Sequence, residues 1–61
     1  MTKEEIIQEI KERIDGYNKE LAELEKIRSE YGTLDDDEKH AVIRLRAKIE
    51  AFDFLLWDIE A

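Results

Sequence analysis

In the first half of the chain, apolar side chains recur at alternating intervals of three and four: Ile7, Ile10, Ile14, Tyr17, Leu21 and Leu24. Arg28 stands where the same rhythm asks for an apolar residue, and Tyr31 resumes it. This is a heptad seam with one polar break, and it predicts a helix over about residues 2–31. Ile6 and Ile27 widen the stripe on one side. Thr2 with Glu5 three residues later has the form of a capping box, and acidic Glu4 and Glu5 suit the positive end of the helix dipole. Gly16 and Asn18 are weak helix formers and invite a break at Asp15–Gly16. The seam nevertheless passes from Ile14 to Tyr17 without a slip in phase, so one continuous helix with a soft spot is expected.

Gly32 can take the left-handed conformation that closes a helix at low cost. Gly32-Thr33-Leu34 then forms a short connection, and Asp35 with Glu38 gives a second cap signal; Thr33 with Asp36 is the competing cap. Either choice leaves a loop of a few residues, which makes the two helices antiparallel neighbours. The second helix, over about residues 35–60, carries its own three-four seam of Val42, Leu45, Ile49, Phe52, Leu56 and Ile59. A second apolar set lies elsewhere on the same helix: Ile43, Ala47, Ala51, Phe54 and Trp57, with Leu55 on its flank. A helix in a simple hairpin needs one apolar face. From Ala51 to Ile59 the side chains are apolar on nearly every side, so the second face must meet something else.

The expected architecture is all-α: a coiled-coil-like antiparallel two-helix hairpin, residues 1–61 forming one domain. A chain of 61 residues buries only about 60% of the surface exposed on unfolding. Helices of these lengths extend roughly 45 and 38 Å and share one seam with no enclosed core. Doubling the hairpin into a four-helix bundle would cover the second face of helix two, and a two-fold dimer is the commonest soluble oligomer. The two Ala residues would let another helix approach closely there. Each buried large apolar side chain is worth about 1.5–3 kcal/mol, so Phe54, Leu55 and Trp57 suffice to set an oligomeric state.

Composition narrows the function. The chain is 44% charged and 43% hydrophobic with no Pro and two Gly, a profile of long helices. The absence of Cys removes disulfides and thiolate metal sites. Charged residues occupy the N-terminal positions where a signal peptide needs an apolar core, and the longest uninterrupted apolar run is Phe54–Trp57, so a cytoplasmic protein without a membrane span is expected. A formal charge of −7 repels phosphate backbones and excludes ordinary nucleic-acid binding; it favours a partner protein with a basic surface.

Candidate chemistry is sparse. Asp36, Asp37 and His40 have the three-four spacing of one helix face and could present carboxylates and an imidazole to a cation. A capped, dipole-matched helix start with an exposed His is the preferred explanation, because Asp-rich first turns follow from helix physics alone. Glu50 with Asp53, and Glu4, Glu5 and Glu9, invite comparison with all-α nucleotide pyrophosphohydrolases, which hold magnesium on helical acidic clusters. The double Glu lacks the third Glu at that family's spacing, and the chain is too short for its helices. Glu-x-x-His motifs of di-iron bundles, nucleophile–His arrangements and phosphate-binding Gly-rich loops are absent from the sequence. No enzyme, metal or cofactor is expected. The basic run Arg44, Arg46, Lys48 divides between two faces, as solvated ion pairs would. Arg28 at a seam position costs stability and can specify register or partner, unless its stem snorkels past the seam.

The group Phe52, Phe54, Leu55 and Trp57 is then the main functional signal, since Trp and Phe are frequent interface anchors. The residues expected at a dimer or partner interface are Ile43, Ala47, Ala51, Phe54, Leu55 and Trp57. The expected function is a non-enzymatic, homodimeric regulator or inhibitor that covers a surface of a larger, nucleic-acid-binding or host-defence protein. Small acidic helical proteins of phages and mobile elements work in this way, an analogy of type. The alternative is a purely structural oligomerisation module or a designed hairpin with no separate target; Gly16, Asn18, Arg28 and Trp57 argue against an idealised design. A metal-dependent all-α enzyme using Asp36, Asp37 and His40 is the third reading.

Overall fold

A computed structural model describes residues 2–61 as two helices, α1 (Lys3–Tyr31) and α2 (Asp36–Glu60), packed side by side. The hairpin is a rod of 44 × 16 × 14 Å. Its radius of gyration, 14.1 Å, exceeds the roughly 10.5 Å of a globular chain of this length. Three cross-helix pairs fix the antiparallel register. Lys11 meets Glu60 at 3.6 Å, the Tyr17 ring stacks on Phe52, and Glu25 meets Arg46 at 3.9 Å, so one helix ascends as the other descends.

Local chemistry sets both helix ends. The Glu5 amide donates to Thr2 Oγ1 at 3.2 Å, while the Thr2 hydroxyl, not its backbone N–H, donates to the Glu5 carboxylate. The N-terminal motif is therefore a side-chain cap and not the reciprocal box expected from Thr2 and Glu5. Asp35 makes the full box: the Glu38 amide donates to its Oδ1 at 2.7 Å, and its own amide donates to Glu38 Oε1 at 3.0 Å. This decides against Thr33 as the cap of α2; its hydroxyl donates to the Leu34 carbonyl instead. At the other end of the loop, Gly32 adopts φ 80° and donates its N–H to the Arg28 carbonyl at 2.7 Å. α1 runs unbroken through Gly16.

The seam of α2 is buried or half-buried at every expected position, from Val42 to Ile59. On α1 the match runs from Ile7 to Leu24 and then departs: Ile27 is half-buried, whereas Arg28 and Tyr31 are exposed. Arg28 thus lies beside the seam, 3.8 Å from Glu25 on its own helix. Burying an unpaired guanidinium costs several kcal/mol, and Ile27 supplies an apolar alternative one residue earlier. Tyr31, 75% exposed, ends the helix in solvent. Only Ile10, Val42 and Leu45 are buried among the described residues, and each still keeps 5–9% of its surface in contact with solvent. One seam between two rods excludes water from little else, because each helix has a single neighbour.

Candidate interaction surface

The second face of α2 is open. Ile43, Phe54 and Trp57 are 64%, 65% and 69% exposed, Leu55 is 46% exposed, and Ala47 and Ala51 are exposed between them. These residues belong to the turns that also carry Leu45, Ile49, Phe52 and Leu56, so the backbone beneath them is fixed by the seam on the opposite side. Successive residues rotate by about 100°, which separates two flanks. Phe54 and Trp57 lean toward one side of the hairpin with Ile43, and Leu55 leans toward the other, with Ala51 between.

On the Trp57 side, α1 and α2 enclose an open groove of about 670 Å³. Leu21 and Ile49 form its floor, Phe54 and Trp57 one wall, and Asn18, Arg46, Glu50 and Asp53 its polar rim. The acidic pair Glu50 and Asp53 therefore borders an apolar depression, with a cation, Arg46, on the same rim. Sequence reasoning identified the apolar wall and missed the contribution of Asn18 and Leu21, which depends on the register between the helices.

Charge along α2 is segregated. From Lys39 to Lys48 there are four cationic residues and one His with no carboxylate; from Glu50 to Glu60 there are four carboxylates with no cation. This order opposes the helix dipole, which favours acids at the N-terminus and bases at the C-terminus. The last turn of α2 contains no base, and only the Asp36, Asp37 and Glu38 start conforms to it. The pattern is visible in the sequence and gains meaning once the exposed face is known.

Asp36, Asp37 and His40 are all exposed on the first turns of α2, and no group of three His, Asp or Glu side chains that could hold a metal ion occurs among the described residues. No helix of the described chain is long and apolar enough to cross a membrane. The exposed surface totals 4863 Å², against about 4200 Å² for a globular monomer of this mass. Comparison with family models, with curated proteins and with solved structures finds no match.

Proposed function

We propose that this chain is a non-enzymatic protein–protein interaction module: a homodimer that forms a four-helix bundle and acts as a regulator or inhibitor by covering a basic surface of a larger protein. The observation that carries this reading is the apolar face of Ile43, Phe54 and Trp57, each more than 60% exposed on a rod whose buried core among the described residues is Ile10, Val42 and Leu45. Monomeric proteins seldom expose such a contiguous patch, and patches of this kind mark association sites. Aromatic anchors bordered by polar groups are the usual anatomy of those sites.

The acidic exterior is the second part of the reading. α1 carries nine carboxylates against six cations, and the turn adds Asp35 to Glu38. Neither group is consumed by the apolar face of α2, so both remain available after dimerisation to steer a basic target.

Light scattering on an eluting peak at tens of micromolar tests the dimer: twice 7.3 kDa is expected, and a monomer overturns it. Pull-down with the dimer, followed by rebinding of the purified captured protein, tests the target. Affinity that falls steeply with added salt is expected. A dimer that captures nothing reduces the function to structural oligomerisation.

A further inference from the structure

The dimer proposed above has a direction. We infer that the second copy lies with its α2 antiparallel across the first, around a two-fold axis level with Ile49, so that residues equidistant from Ile49 face one another. The inference rests on the dimer reading and adds its geometry.

The exposed positions opposite the seam are His40, Arg44, Ala47, Ala51, Phe54 and Asp58. Their spacing of four, three, four, three, four reads identically from either end, as an isologous antiparallel contact requires. Their chemistry is also complementary. Ala47 faces the partner's Ala51, and these small residues at the centre let the helix axes approach to about 8 Å. Arg44 lies over the ring of the partner's Phe54, one turn from the partner's Asp58, and His40 faces that same carboxylate. Ile43 lies beside the partner's Trp57 on one flank, because a two-fold axis sets each flank of α2 against the same flank of its mate.

Charge decides against the parallel alternative. Antiparallel docking lays the cationic half, Lys39–Lys48, on the anionic half, Glu50–Glu60, twice over; parallel docking lays like on like along the full helix. Like-charge juxtaposition across an interface costs several kcal/mol. The segregation that opposes the helix dipole is thereby compensated by the partner helix. Area is consistent: the surface in excess of a globular monomer, roughly 700 Å² per chain, approaches the ~800 Å² per partner of a standard interface.

Two measurements test the direction. The sequence lacks Cys, so a nitroxide on Ala61→Cys gives one label per copy, read by double electron–electron resonance. Antiparallel docking sets the labels about 36 Å apart along the axis, 24 residues at 1.5 Å each; a distance below about 20 Å overturns it. The second is a charge exchange within one chain. Arg44→Glu and Asp58→Lys, separately, each raise the dimer Kd at least about tenfold, and the double variant returns it to within about threefold, because Glu and Lys then meet across the axis. Failure of the double variant to recover overturns the direction. A wild-type monomer overturns direction and dimer together, whereas a wild-type dimer with short label distances overturns the direction alone.

Discussion

The ring of Tyr17 stacks on the ring of Phe52 across the two helices, with centroids 5.9 Å apart and planes inclined by 27°, and the Lys48 ammonium sits 5.5 Å from the Tyr17 centroid. Both aromatic residues are half-buried seam positions, so the contact joins area burial to a directional ring–ring attraction. It also lies between the Lys11–Glu60 and Glu25–Arg46 pairs, at the middle of the rod. Phe52→Ala should lower the unfolding free energy by about 2–3 kcal/mol, less than the 3–5 of a fully enclosed Phe. Lys48→Ala should cost no more than about 1 kcal/mol. Urea unfolding at fixed protein concentration measures both, and equal effects would show that the rings add nothing beyond the cation.

The two glycines respond in opposite senses. Gly16 is helical, and a methyl group added there meets no atom within 4 Å. Gly16→Ala should therefore stabilise by about 1 kcal/mol, a rise of several degrees in Tm. Gly32 has equally open surroundings but φ 80°, and Gly32→Ala should destabilise by about 1–2 kcal/mol. Thermal melts of the two variants side by side check the pair.

Removal of the α2 cap separates the two candidate cap residues. Asp35→Ala deletes the acceptor of the Glu38 amide and should cost about 1 kcal/mol. Thr33→Ala, whose hydroxyl serves only the neighbouring carbonyl, should fall within about 0.5 kcal/mol of wild type. A larger loss at Thr33 would place the cap two residues earlier.

Ile27 and Arg28 exchange the roles that the heptad rhythm assigns to them. Ile27→Ala should cost about 1–2 kcal/mol, scaled down from a core Ile because the side chain is half-buried. Arg28→Ala should cost under about 0.5 kcal/mol, since its partner Glu25 is an exposed i,i+3 neighbour. Denaturation midpoints of the two variants reveal which residue the seam uses.

Both helices, their antiparallel order and the α2 seam follow from spacing alone, because Val42 to Ile59 keeps an uninterrupted three-four rhythm that admits one buried face. The same rhythm misplaces Arg28 and Tyr31. At the end of a seam the competition is between a formal position and the cost of desolvating a charge, and Ile27 wins on the second count. The cap of α2 is one of two sequence-compatible choices, decided by the Asp35 carboxylate, which accepts from the Glu38 amide while the Thr33 hydroxyl turns to the Leu34 carbonyl. Apolar excess at Ile43, Phe54 and Trp57 is legible from periodicity, whereas the groove needs Asn18 and Leu21 from α1, and only the inter-helix register brings them there.

The location of the three core side chains implies an order of assembly. Val42 and Leu45 lie on the turn side of the rod, where Glu25 and Arg46 bridge a loop of about twenty residues. Ile10 lies at the open end, where Lys11 and Glu60 close a loop of about fifty. Closing the longer loop directly costs about 0.8 kcal/mol more, by the logarithmic law of chain closure. Zippering outward from Gly32 avoids that cost, since every new contact then lengthens a loop already formed. The hairpin should accordingly form at its turn and finish at Ile10, and hydrogen exchange in the native state should be fastest at the end where Lys11 meets Glu60.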